Sequence, residues 1–276
     1  MAERSEQPGR TPTGPNSVAP EDWATIVRHG LVEAALTLVL LFGVLTIVRW
    51  VVGPSPVSAT IPQIHLQLLI IGICVGIFLA LLILSRPGRL TGGHLNPAVS
   101  LAMWRFGVFP GKAVIPYIVG QLVGSVLGGI VGRAVWGPVV EELPIVYGAL
   151  QPGPGWTAGE LFLAEAAGMA VIVAIVGTFL QNNRLARFVP WLVGFLIGAA
   201  IVALGTTTGG SENPARQFGP AVLSGHIDFL WVYLTAPMVG ATLATVVLNR
   251  LHQRQHRRVL THRLCGTRAD GSRLDD

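Results

Sequence analysis

The chain alternates long apolar blocks with short polar segments. Six blocks, near 31–52, 64–84, 113–135, 160–180, 188–207 and 229–249, are long enough to cross a hydrocarbon core of about 30 Å, which takes about 20 helical residues. Two shorter apolar segments, Pro97–Arg105 and Pro214–Leu223, follow the second and fifth blocks. Each is about half a crossing long. The pattern predicts an all-α membrane protein with six transmembrane helices and two half-length helices that enter the membrane without crossing it. Small residues recur every fourth position in the third block, at Gly120, Gly124, Gly128 and Gly132, and more briefly at Gly72, Gly76 and Ala80 and at Gly194 and Gly198. Lipid supplies no hydrophobic force between helices, so these positions predict close helix crossings.

The blocks are duplicated. The first carries Glu33, and Gly92-Gly93-His94-Leu95-Asn96-Pro97-Ala98-Val99 follows the second. The fourth carries Glu165, and Gly209-Gly210-Ser211-Glu212-Asn213-Pro214-Ala215-Arg216 follows the fifth. Three spans per half is an odd number, so the halves enter from opposite sides and form an inverted repeat, a plan shared with many transporters. The half-helices then dip in from opposite faces and meet near the middle. Asn is a favoured N-cap and Pro a favoured first helical residue, so Asn96-Pro97-Ala98 and Asn213-Pro214-Ala215 each start a helix there. Each helix N-terminus carries about half a positive charge. Two facing each other oppose cations, while the Asn amides offer donors to an uncharged solute.

Composition agrees with the membrane reading. Apolar residues make up 51% of the chain and charged residues 12%, against roughly 25% charged in soluble domains. The net charge of +5 lies mostly in the tails and a few loops and does not suggest nucleic acid. Arginines and lysines precede the first span, lie between spans two and three and between four and five, and follow span six. Segments 53–63 and 137–159 have none. The positive-inside rule therefore predicts cytoplasmic termini in a multi-pass protein of the cell membrane. Residues 1–23 and 251–276 are expected to be cytoplasmic tails, with Ser5–Pro20 and Gln253–Asp276 disordered. Residues 24–250 form the channel domain, its halves about 24–136 and 156–250. Cys74 and Cys265 fit neither a disulfide nor a metal site, and no cofactor is expected.

The two signatures, GGHLNPAV and NPARQFGPAV, resemble those of the aquaporin and aquaglyceroporin (major intrinsic protein) family, over about residues 24–250. The resemblance implies an aquaporin-like bundle with a pore in each protomer of a homotetramer, passing water and small neutral solutes. It makes Glu33 and Glu165 scaffold groups that accept hydrogen bonds from the re-entrant loops, with Thr37 joining Glu33 and His94 anchoring its loop. The other reading of these carboxylates is proton relay, which would belong to a secondary active transporter. Arg216 opposes the dipole of its own half-helix, and the resemblance places it in the outer selectivity filter. Counting back from the Asn residues by the family's spacing adds Gly76, Ile201 and Gly210. Strict water channels usually have a large aromatic and a histidine there, so the ring favours glycerol, urea or metalloid acids beside water. Gln217 and Ala221 do not match the glycerol type, and a strict water channel is the alternative. Glu212 either orients or neutralises Arg216, or faces the outer vestibule. No nucleophile–base pair or metal cluster suggests an enzyme.

Overall fold

The computed structural model describes residues 22–255, 257–267 and 272. Ser5–Pro20 lies outside them. The six spans are Trp23–Val51, Ile64–Leu84, Gly111–Trp136, Ala158–Phe179, Val189–Leu204 and Leu230–Gln255, and the half-helices are Pro97–Arg105 and Pro214–Ser224. The first span starts well before the apolar block because Asp22 caps it, accepting a hydrogen bond from Thr25 N at 2.6 Å. His29 and Gly30 in its polar first turns are buried. The fifth span has 16 residues, about 24 Å at 1.5 Å per residue. It stops at Leu204, whose carbonyl accepts the N–H groups of Thr207, Thr208 and Gly209. That turn leads into Gly209 and Gly210, both at positive φ, where residues with a side chain are disfavoured.

The glycine pattern finds its partners. A Cβ added at Gly120 would lie 2.2 Å from the carbonyl oxygen of Gly30, and one at Gly124 2.1 Å from that of Ala34. The third span thus crosses the first backbone to backbone. The sixth does the same to the fourth, with Gly240 against Ala166 O at 2.0 Å. Gly72 and Gly76 of the second span face Gly198 and Gly194 of the fifth. The first two crossings lie within the halves and the last joins them, as an inverted repeat requires. The outward faces are apolar and exposed, for example at Leu31, Ile115, Leu163 and Phe195. Such faces suit lipid.

The C-terminal segment departs from expectation. Residues 257–267 are not a solvated tail. They fold back against the bundle, burying Val259, Leu264 and Cys265. Arginine density argues for solvation, but these interspersed apolar side chains find a cavity mouth to fill.

Candidate functional site

The half-helices meet through a crossed pair of hydrogen bonds. Asn96 Nδ2 donates to Glu212 O at 2.9 Å, and Asn213 Nδ2 donates to Leu95 O at 2.9 Å. Each Asn Oδ1 caps its own helix, accepting from Ala98 N at 2.8 Å and from Ala215 N at 3.0 Å. Leu95 and Glu212 sit at φ 48° and 49°. This left-handed geometry is costly for residues with a Cβ, and it occurs at the residue whose carbonyl must reach across. An amide NH₂ has two hydrogens. One is spent on the crossed bond, which leaves the other for a solute.

Above each Asn the loop repeats itself. Tyr117 OH donates to Thr91 O at 2.9 Å, and Tyr233 OH donates to Thr208 O at 2.7 Å. Thr91 and Thr208 hydroxyls accept from Gly93 N and Gly210 N. Buried Glu33 accepts from His94 N at 3.2 Å, Leu95 N at 2.7 Å, Thr91 Oγ1 at 2.6 Å and Gln121 Nε2 at 2.8 Å. Buried Glu165 accepts from Ser211 N at 3.2 Å and Glu212 N at 2.8 Å. Irregular backbone at this depth needs such partners. Thr37 does not join them. It is buried, and its hydroxyl has no hydrogen-bond partner among the described residues.

A passage runs along these loops. Its central part is lined by His94, Asn96, Asn213 and Arg216 together with apolar residues such as Leu40, Val75 and Ile197. Its outer part is lined by Val75, Ile201, Gly210 and Arg216, beneath Ile145 and Gly148 of the long 137–157 segment. Ile201, Gly210 and Arg216 are therefore brought together as expected. Gly76 is not with them. A Cβ on Gly76 would point at Gly194 O, 2.5 Å away, so its place is the helix crossing. The neighbouring Val75 supplies the wall. Counting from Asn96 therefore lands one residue away from the side chain that lines the passage.

Arg216 Nη1 donates to Gly148 O at 2.6 Å. Gln217 grips the same outer segment twice, donating from Nε2 to Leu150 O at 2.8 Å and accepting at Oε1 from Leu150 N at 2.9 Å. That segment is also held by Glu141, which accepts from Arg133 Nε at 2.5 Å and from Tyr147 OH at 3.0 Å. These bonds hold the Glu141 carboxyl below the usual carboxylate range. Glu212 takes neither expected role. It is fully buried, and its carboxyl fills the notch at Gly168, where an added Cβ would lie 2.0 Å from Oε1. Neither oxygen has a hydrogen-bond partner among the described residues.

The roles of four residues were not foreseen. Tyr117 and Tyr233 occupy matching places in the two halves, a signal the duplication itself carries. Gln217 is visible only as a departure from a pattern. Leu264, which lines the passage at the face carrying the termini, gives no sign in a basic tail. His94 does more than anchor: its Nδ1 lies 3.1 Å from Ser100 Oγ, and its Nε2 donates to His262 O at 3.2 Å.

A family model described as Major intrinsic protein matches residues 22–248. The probable aquaporin AqpM of Archaeoglobus fulgidus is 36% identical over 187 residues, covering 66% of this chain and 75% of its own. The glycerol uptake facilitator protein of Haemophilus influenzae is 32% identical over 202 residues, covering 62% and 76%. The X-ray structure of the aquaglyceroporin from Plasmodium falciparum is similar in fold, with TM-score 0.66 at 21% identity, covering 83% of this chain and 98% of that one.

Proposed function

Because the chain belongs to the major intrinsic protein family, we propose that it is a passive membrane channel for water and small uncharged solutes of glycerol size, excluding protons and ions. The crossed Asn96–Asn213 pair carries this reading. It sets two amide donors and two helix N-termini together in a passage whose other lining residues are mostly apolar. A neutral solute exchanges water hydrogen bonds for these donors, whereas a cation meets two positive helix ends. Glu33 and Glu165 each accept hydrogen bonds from the re-entrant loops and line neither part of the passage, which argues against proton-coupled transport.

Val75, Ile201, Gly210 and Arg216 form the filter in this reading. None is aromatic, so the ring has room for a polyol. Val75 in place of Gly76 narrows it, and a strict water channel is the second reading on that ground. Cytoplasmic termini, a cell-membrane location and a homotetramer complete the proposal, on the arginine distribution and the family resemblance. The test is stopped-flow light scattering of proteoliposomes in sorbitol and in glycerol gradients, with the full chain and its Leu264→Asp variant. Protein-dependent flux of both water and glycerol is expected. Water flux alone selects the strict water channel. Flux of neither rejects the channel.

A further inference from the structure

The passage has a wall residue that belongs to none of the membrane helices. Leu264 lines the same central cavity as Asn96 and Asn213, and only 1% of its surface is accessible. The segment that carries it is seated by both halves of the bundle. In the first half, Leu264 N donates to Gly92 O at 3.0 Å, and the Arg263 guanidinium donates to Arg89 O. In the second half, Leu260 N donates to Leu180 O at 3.1 Å, and Gly266 lies against Ala186 and Arg187. The segment therefore bridges the mouth from one side to the other. Gly92 cannot take a side chain: it has φ +100°, and an added Cβ would lie 2.7 Å from His262 Nδ1.

We propose that residues 257–267 are a stopper that closes the termini-side mouth of the pore with Leu264, latched by the His94–His262 contact. This rests on the channel reading and adds a closed state to it. The latch has a definite polarity. His94 Nε2 donates to His262 O at 3.2 Å and lies 3.4 Å from His262 Nδ1. His262 Nδ1 is thus an acceptor in the seated form. The ring packs edge-on against His94 at 5.5 Å and tilted against Phe109 at 5.1 Å.

Acid should open the stopper. A proton on His262 Nδ1 turns the acceptor into a donor that faces the His94 donor. The charged groups around His262 are His94 on the re-entrant loop, His29 on the first span and Arg263 beside it, so the added charge meets basic neighbours. Glu33, the nearby carboxylate, is already engaged by four donors. Burial and these neighbours hold the seated His262 well below the ordinary imidazole range. A freed tail has an ordinary imidazole, of about 6.5, and binds the proton first. Seating is therefore strongest above that value and weakens progressively as pH falls from it toward the seated value.

Two readouts on the full chain test this. Water flux in proteoliposomes reports the mouth. Labelling of Cys265 in a Cys74→Ser background reports seating independently, because Cys265 is buried by the seated segment and Cys74 is the other cysteine, exposed on a span. Leu264→Asp, which puts a charge into the apolar cavity, is expected to raise flux several-fold and to expose Cys265. Flux of the native chain is expected to rise from about pH 7.5 to about pH 5.5, on either side of the imidazole range, and His262→Gln to flatten that profile. Equal flux from the native chain and Leu264→Asp, or native Cys265 labelling at the rate of the denatured chain, overturns the stopper and leaves the channel standing. No flux from any variant, with Cys265 protected, overturns the channel and the stopper with it.

Discussion

The two re-entrant loops share one backbone and differ in what grips it. Both turn through a positive-φ glycine pair, both strain one residue at φ near 50° before the Asn, and both hang from a tyrosine hydroxyl. Around the first loop, Glu33 takes four donors and the tail covers the mouth. Around the second, Glu165 takes two backbone donors and the Thr208 hydroxyl, Glu212 is buried against Gly168, and Arg216 and Gln217 are tied to the 137–157 segment. The shared part satisfies the backbone at depth. The differing parts sit at opposite mouths, so the proposed closure falls to one loop and the proposed selection to the other.

The largest effect should come from stripping that shared part unequally. Glu33→Ala leaves four buried donors without their acceptor, at about 1–3 kcal/mol each, and is expected to abolish recovery of folded protein in detergent. Glu165→Ala strands three, the N–H groups of Ser211 and Glu212 and the Thr208 hydroxyl, costs about 3–9 kcal/mol on the same scale, and should yield folded protein of lowered thermal stability. Equal loss from both would erase the asymmetry. Next comes Arg216→Ala, which removes the fixed charge from the proposed filter while both Asn amides stay. Cation leak through a Leu264→Asp background should rise on the order of tenfold, the effect of about 1.4 kcal/mol on a barrier. An unchanged leak would assign cation exclusion to the helix ends alone.

Smaller effects separate wall from crossing. Gly76→Ala drives a Cβ against Gly194 O, 2.5 Å away, and is expected to cost about 1–3 kcal/mol of stability as an overpacked contact with the water-to-glycerol ratio unchanged. Val75→Trp should keep the fold and lower glycerol flux more than water flux. The reverse result would return Gly76 to the filter. The smallest is Glu212→Met. It fills the same notch without unpartnered oxygens and should raise stability by about 1–3 kcal/mol. A loss of flux would show that the carboxyl has a role in conduction.

Much of this was legible in the residues. Hydropathy marked every span, because lipid demands long apolar helices and punishes exceptions. The half-helices were readable from Asn-Pro-Ala, since cap and first-turn preferences act locally. Gly76 was misplaced for a physical reason: a glycine can mean room for a solute or room for another backbone, and spacing alone does not say which. Glu212 was beyond sequence reasoning, because the space it fills belongs to Gly168, 44 positions away. The seated tail was hidden by its own composition, as arginine density outweighed three apolar side chains.

The crossed bonds also set a timetable for biosynthesis. Leu95 O waits for an amide 118 residues further along the chain. At about 5–20 residues per second, a ribosome delivers that amide roughly 6–24 s after the first loop has left it. During this interval the first three spans hold an Asn side chain and a carbonyl whose partners have not been made. The unfinished half must keep its loop wet, or lean on the insertion machinery, until the second half closes the pair. Neither half is then a finished folding unit, and the solute-binding centre exists only once the second half has been made.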